Sequence, residues 1–219
     1  GTEVDPRHWL DALDSAIGGI LDGVQAISIA GQQHGMVALD DTGAVVRPAL
    51  LWNDTRSAPD SDDLIGELGG PGAWADAVGS VPLASFTVTK LRWMARAEPH
   101  HANRTASIML PHDYLTWNLA GRPESATTDR GDASGTGYWS PSRGSYRMDL
   151  VERALGHSAR LPRVATPAEP IGETAGGIVL GPGTGDNMGA ALGLGLAAGD
   201  VVVSLGTSGT AFAVNDAPA

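Results

Sequence analysis

The sequence predicts an α/β fold built from short strands, Gly-rich loops and helices of medium length. Residues 5–21 place apolar side chains on one face of a helix, and the run 24–30 that follows alternates like a β-strand. An arrangement of strand, Gly-rich loop and second strand occurs twice, around residues 31–35 and 206–209. With 219 residues, of which 42% are hydrophobic, the chain is long enough to bury a core of its own.

Further elements follow from the same patterns along the chain. After the first helix, the runs 24–30, 36–39 and 44–51 predict a three-stranded meander, with a turn at Asp40-Asp41-Thr42-Gly43. Helices are predicted at 61–68, 71–78, 89–97, 112–119 and 188–196, a strand at 178–180, and a hairpin from 201–205 and 210–214. Residues 121–147 are polar, but Tyr138 and Trp139 among them need burial, so we expect an ordered loop region there.

Composition excludes several classes of function. The 25 acidic residues outnumber the 14 basic ones, which gives a net charge of −11 and argues against binding to nucleic acid or an anionic membrane. The absence of cysteine removes disulfide scaffolds, cysteine zinc sites and thiol catalysis. No His, Asp or Glu residues show metal-ligand spacing, so we predict no protein-held metal site. No apolar run reaches a membrane span, and we expect a cytoplasmic protein.

Two short polar segments are candidates for binding chemistry. Gly31-Gln32-Gln33-His34-Gly35 follows an apolar strand and presents uncharged donors and acceptors that suit a polyhydroxy ligand, although a hydrogen-bonded His in a polar turn explains the pattern too. Gly185-Asp186-Asn187 stands between a predicted strand and a helix. Asp186 there is either a helix cap or a general base held at the carboxyl end of a strand.

A third segment, Gly206-Thr207-Ser208-Gly209-Thr210, lies between the two hairpin strands. Its backbone amides and hydroxyls could surround phosphate oxygens, although such a composition is also common in plain turns. It is not a Walker A loop because no lysine follows the glycine.

Taken together and in this order, these motifs resemble the FGGY carbohydrate kinases, and within that family the members that phosphorylate D-xylulose. The segments that carry the resemblance span nearly the whole chain: 29–35, 51–56, 85–93, 110–117, 128–136, 185–187 and 204–210. The resemblance implies an actin-like, ribonuclease-H-like ATPase fold of two lobes, with a mixed sheet flanked by helices and a cleft between the lobes.

Roles for individual residues are implied by the same resemblance. Asp186 matches the catalytic base, Gln33, His34 and Asn187 match ligands of the sugar, and Gly206 and Thr207 match the loop that meets the nucleotide phosphates. Glycerol kinases have a charged Arg-Glu pair where this chain has Gln33-His34, which argues against glycerol. The implied cofactors are ATP and Mg²⁺.

The chain also departs from the family pattern. It begins after the family's first strand and phosphate loop and stops soon after the Gly-Thr-Ser-Gly turn, so we expect a fragment. Residues 1–196 are assigned to the N-terminal sugar-binding lobe and 197–219 to the start of the C-terminal nucleotide-binding lobe. The predicted activity is ATP-dependent phosphorylation of D-xylulose to D-xylulose 5-phosphate. The alternatives are a kinase of ribulose or another ketose and a non-catalytic actin-like module, and the sequence leaves a homodimer open.

Overall fold

Short strands in several small sheets, joined by helices, make up the chain in a computed structural model that describes residues 2–205 and 209–216. The strands are β1 (Glu3–Val4), β2 (Ala26–Ile27), β3 (Ala30–Gly31), β4 (Val37–Leu39), β5 (Ala49–Leu50), β6 (Ser107–Met109), β7 (Thr127–Thr128), β8 (Trp139–Ser140), β9 (Ser145–Tyr146), β10 (Arg163–Val164), β11 (Gly172–Glu173), β12 (Val179–Leu180), β13 (Thr184–Gly185), β14 (Val201–Leu205) and β15 (Gly209–Ala213). The helices are α1 (Arg7–Ile17), α2 (Ala58–Leu68), α3 (Pro71–Val78), α4 (Thr87–Ala97), α5 (Pro99–Arg104), α6 (Pro111–Leu119), α7 (Arg130–Ser134), α8 (Met148–Leu155) and α9 (Asp186–Gly193).

The central sheet is mixed, and β4 lies in its middle. β4 pairs antiparallel with β6, and an antiparallel bridge from Met36 to Leu50 joins its other edge to the segment containing β5. β5 pairs antiparallel with β1. Beyond β6, a parallel bridge links Ser107 to Arg160.

Helices cover both faces of this sheet. Successive residues of a strand point to opposite sides, and the side chains on each side of β4 pack against a different set of helices. Met36 and Ala38 belong to a core cluster formed with apolar residues of α2, α3, α4 and α8. Val37 and Leu39 belong to a second cluster formed with residues of α1 and α6. The predicted mixed sheet with flanking helices is therefore confirmed.

A second set of strands lies apart from this sheet. β2 pairs parallel with β12, and β3 pairs parallel with β13, so the segments 26–31 and 179–185 run side by side. The predicted partner of the first meander strand is therefore wrong: this strand pairs with a segment about 150 residues later and not with 36–39. The rest of the meander is confirmed as antiparallel bridges between 36–39 and 45–50.

Several boundaries differ from those predicted. α1 ends at Ile17, α2 begins at Ala58, and α9 spans Asp186–Gly193 and not 188–196. The segment 121–147 is ordered and holds α7 and the β8–β9 hairpin, with Tyr138 and Trp139 buried as predicted. β14 and β15 form the predicted hairpin. Among the described helices, none combines the length and the apolar character that a bilayer crossing requires.

Candidate active site

The candidate site forms where two parallel strands end side by side. Gly31 of β3 is the register partner of Gly185 of β13. Because parallel strands point the same way, the residues that follow each of them emerge at the same edge, the usual place of ligand sites in α/β sheets. The loop after β3 carries Gln33 and His34, and α9 begins directly after β13 with Asp186 and Asn187.

Gln33 and Asn187 are in direct contact, although they lie 154 positions apart in the sequence. The Asn187 side-chain amide donates to Gln33 Oε1 at 3.4 Å. Gln33 packs over Gly185, where an added Cβ would come within 2.7 Å of the Gln33 Cγ atom. The glycine therefore lets the two strands bring both amide side chains together.

His34 projects from a tight turn and is held on several sides. Its backbone has a φ of 64°, and the amide of Gly35 donates to the carbonyl of Gln33 at 2.8 Å across the turn. The His34 ring stacks on Phe86 with the ring centroids 4.8 Å apart, and its Nδ1 lies 2.6 Å from the Gly135 carbonyl oxygen. Burial lowers the pKa of His34, which favours the neutral imidazole.

Asp186 is the first residue of α9, and its side chain is exposed. The N-cap position belongs to Gly185, and Asp186 Oδ1 accepts a hydrogen bond from the Asn187 amide at 2.8 Å. Within residues 2–205 and 209–216, Oδ2 of Asp186 makes no hydrogen bond. The geometry therefore does not make Asp186 the helix cap, and it leaves one carboxylate oxygen free to meet a ligand.

A buried charge cluster, consisting of His112, Asp113, Asp129 and Asp132, packs against the strand segments that carry the site. His112 Nδ1 lies 2.6 Å from Asp132 Oδ2, and Nε2 lies 3.2 Å from Asp113 Oδ1 and 3.8 Å from Asp129 Oδ1. Although burial opposes the charged form, the neighbouring carboxylates outweigh it and raise the pKa of His112 to about 9. Burial raises the pKa of Asp113 to about 7.

His112 of the charge cluster packs against β3 and against Gly183, the residue directly before β13. An added Cβ on Gly31 would lie 3.0 Å from the His112 Cβ, and one on Gly183 would overlap His112 Cδ2. At Gly183 a larger residue leaves no room for the imidazole, and at Gly31 it would press on the Cβ and backbone of His112. His112 therefore sets how closely β3 and β13 approach α6.

Sequence spacing does not reveal the charge cluster, since its members come from α6, from α7 and from Asp129, the N-cap residue of α7. Ligand atoms of His112, Asp129 and Asp132 lie within 4.8 Å of one another, a spacing that could also hold a metal ion. The hydrogen bond of His112 Nδ1 to Asp132 and the raised pKa favour an imidazolium that compensates the carboxylates. The only sequence signal was that these residues fall in the segments 110–117 and 128–136.

Gly206 and Thr207, the predicted phosphate-loop residues, lie outside the described residues. The strands that flank them are described, and Leu205 of β14 pairs with Gly209 of β15.

Comparison with known proteins gives a family match over most of the chain. Residues 2–202 match the model described as the N-terminal domain of the FGGY family of carbohydrate kinases. The chain is 50% identical to a xylulose kinase of Streptomyces coelicolor over an alignment of 226 positions, gaps included. It is 51% identical to a xylulose kinase of Streptomyces rubiginosus over an alignment of 225 positions. Each alignment covers 98% of this chain and 46% of the relative, so the chain spans about half the length of these relatives.

Solved structures agree with the sequence comparison. The crystal structure of xylulose kinase from Bifidobacterium adolescentis is 41% identical, superposes with a TM-score of 0.90, and is matched over 96% of this chain and 51% of that one. A xylulose kinase structure from Brucella ovis matches with 32% identity and a TM-score of 0.86, over 98% of this chain and 46% of that one.

Proposed function

The chain belongs to the FGGY family of carbohydrate kinases, and on that premise we propose that the protein containing it transfers the γ-phosphoryl group of ATP to D-xylulose, giving D-xylulose 5-phosphate. Support comes from the xylulose kinases that match it along 98% of its length. The observation that carries the proposal is the meeting of uncharged hydrogen-bonding groups, Gln33, His34 and Asn187, with the exposed carboxylate of Asp186 at the ends of two paired strands.

Asp186 is the proposed general base. A sugar hydroxyl is a weak nucleophile, and its proton must leave as its oxygen forms a bond to the γ-phosphorus and the bond from that phosphorus to ADP breaks. The free Oδ2 of Asp186 can accept that proton. A positioned base of this kind contributes about 10²- to 10⁴-fold to the rate. Gln33, His34 and Asn187 would hold the other hydroxyls and so orient the reacting one.

The nucleotide side of the reaction rests on residues beyond the described site. We propose that Gly206 and Thr207 meet the phosphates of ATP, that residues 1–196 form the sugar-binding lobe, and that 197–219 begin the nucleotide-binding lobe. At the strand ends the described residues offer one exposed carboxylate, Asp186, which fits a Mg²⁺ ion carried mainly by phosphates and water. Bound there, Mg²⁺ would supply neutralisation of the charge on the transferred group.

The test is a kinase assay on the full-length protein with ATP and D-xylulose, D-ribulose or glycerol. We expect the largest kcat/KM with D-xylulose. Asp186→Asn should lower kcat by about 10²-fold or more while leaving sugar affinity largely intact, because the amide cannot take a proton. Asp62→Asn, which changes an exposed carboxylate on α2, is the matched control and should retain wild-type turnover.

Each failure of this assay has its own meaning. Preference for D-ribulose would keep the kinase and correct the sugar. Equal turnover in wild type and Asp186→Asn would remove the general base. Absence of turnover with every sugar, in a folded protein that binds ATP, would favour the non-catalytic actin-like module. A cytoplasmic location and a homodimer stay predictions, the latter open to sedimentation velocity.

A further inference from the structure

His34 occupies a backbone conformation that needs support from its surroundings. A φ of 64° is uncommon for a residue with a side chain, and it is shared among the described non-glycine residues only with Arg122. The hydrogen bond from the Gly35 amide to the Gln33 carbonyl, 2.8 Å, closes a three-residue turn centred on His34. Such conformations persist at sites where neighbouring groups hold them in place.

The N-terminal turn of α4 supplies two of those neighbouring groups. The hydroxyl of Thr87 donates to the His34 carbonyl at 3.2 Å. The Phe86 ring lies against the His34 ring at an interplanar angle of 11°. The imidazole is therefore confined to one plane, and it can neither tilt nor leave the turn without losing the stack.

The Gly135 carbonyl fixes the position of the proton on the ring. A carbonyl oxygen can only accept a hydrogen bond, so His34 Nδ1, 2.6 Å away, must carry a proton. Phe86 and the surrounding backbone also keep water from the ring, which disfavours a second proton. The ring is then the neutral Nδ1–H tautomer, and Nε2 keeps its lone pair.

We propose that Gly135 and Phe86 are positioning residues that hold His34 in the Nδ1–H tautomer, so that Nε2 accepts a hydrogen bond from a hydroxyl of the sugar. This inference rests on the proposed function for the identity of the ligand. It adds the direction of the hydrogen bond: Nε2 of His34 accepts, so the ligand must offer a group that donates a hydrogen bond.

Gly135 has the right shape for this role and for a sharp test. A Cβ added there would lie 2.9 Å from His34 Cε1 and 3.0 Å from Nδ1, too close for the ring to keep its place. The Gly135 φ of −75° is one that alanine adopts freely, so Gly135→Ala displaces the ring without straining its own backbone. Gly66→Ala is the matched control because a Cβ there meets nothing within 4 Å.

The experiment has a spectroscopic part and a kinetic part, both on the full-length protein. Two-bond ¹H–¹⁵N spectra of histidine-labelled protein at about pH 7, with His34→Gln for assignment, should show the Nδ1–H tautomer for His34. Gly135→Ala should raise the sugar KM about tenfold, the order expected for one neutral hydrogen bond, and leave the KM for ATP unchanged. Phe86→Leu, which removes the stack on His34, should raise the sugar KM similarly. Phe86→Tyr retains the stack and should keep the wild-type sugar KM.

The outcomes separate this inference from the proposed function. An Nε2–H tautomer or an imidazolium in the wild-type spectrum overturns the inference, whether or not the protein turns over any sugar. A wild-type sugar KM in Gly135→Ala overturns the positioning role, and if that variant does not fold, the Phe86→Leu and Phe86→Tyr pair decides in the same way. A wild-type protein inactive on every ketose but showing the Nδ1–H tautomer would refute the proposed function and leave the assignment of His34 standing.

Discussion

Lys90 and His112 are two fully buried basic residues whose environments shift their pKa values in opposite directions. Burial lowers the pKa of Lys90 to about 7, and the Asp54 charge only partly offsets it. Carboxylates on both sides of the imidazole raise the pKa of His112 to about 9 in spite of its burial. The Lys90 ammonium donates to the Ser85 carbonyl next to Phe86, so this lysine also supports the turn that confines His34.

The depressed pKa of Lys90 predicts a pH-dependent stability. A lysine with a folded-state pKa of about 7 and an unfolded value near 10.4 contributes stability that is complete above about pH 10, declines as the pH falls below that, and is lost once the pH has fallen through about 7. The free energy of unfolding of wild type relative to Lys90→Met should therefore rise by on the order of 3 kcal/mol between about pH 7 and pH 10. Urea unfolding of the two proteins at each pH measures this difference.

His112 lowers wild-type stability as the pH rises from about 6.5 towards 9, because its folded pKa is raised. That contribution is present in both wild type and Lys90→Met, and it cancels in their difference. Arg143→Met is the control, since it replaces an exposed basic residue in place of a buried one. A difference between wild type and Lys90→Met that stays flat from about pH 7 to pH 10 would contradict the assignment.

At the scale of elements, local patterns predicted which segments are helices and strands better than how they pair. The segment 71–78, predicted as a short helix, forms α3 with the predicted bounds. The alternation in 24–30 correctly indicated a strand, but nothing within that segment distinguishes pairing with 36–39 from pairing with 179–185. Between this strand and 36–39 the chain turns at His34, whose φ is positive and which contacts α4 and Gly135.

In the candidate site, too, some residues could be predicted from the sequence and others could not. Gln33, His34, Asp186 and Asn187 could be picked out because they follow glycines at strand ends, and their meeting follows from a parallel pair. The charge cluster around His112 could not, because its residues are ordinary in sequence and are brought together only by the packing of α6 and α7.

The packing of β13 against α6 makes a prediction for Gly183. Its φ of +79° and the overlap of an added Cβ with His112 Cδ2 mean that alanine there meets both backbone strain and a clash with a buried side chain. Gly23, with a φ of +74° and nothing within 4 Å, would suffer the strain alone. We expect Gly23→Ala to cost about 1–2 kcal/mol of stability and Gly183→Ala about 1–3 kcal/mol more.

Thermal or urea unfolding of the two alanine variants measures the comparison. Equal losses of stability in Gly183→Ala and Gly23→Ala would show that His112 does not restrict the approach of β13.

Across the whole molecule, burial is unevenly distributed. Both core clusters are centred on β4 and its neighbours, whereas α1 and α9 contain no fully buried residue. In the β14–β15 hairpin, Val201, Val203 and Leu205 are between 64% and 86% exposed. The candidate site thus draws on both regions, since Gln33 lies shortly before the well-packed β4 and Asp186 begins the sparsely packed α9.

This uneven burial predicts a gradient of local stability in the 219-residue chain. Backbone amides exchange through local opening where few apolar contacts must break, and through larger unfolding where many must. Amides of β4 and β6, whose residues are all buried, should exchange at least about 100-fold more slowly than those of β14 and β15, a ratio that corresponds to a difference of about 2.7 kcal/mol in opening free energy. Hydrogen–deuterium exchange read by mass spectrometry resolves the two regions.

Because the hairpin amides are hydrogen-bonded in register from Val201↔Ala213 to Leu205↔Gly209, fast exchange there would report missing packing and not missing hydrogen bonds. Protection of the hairpin equal to that of β4 would mean that its apolar side chains are covered in solution, and that the sparsely packed half is as stable as the core.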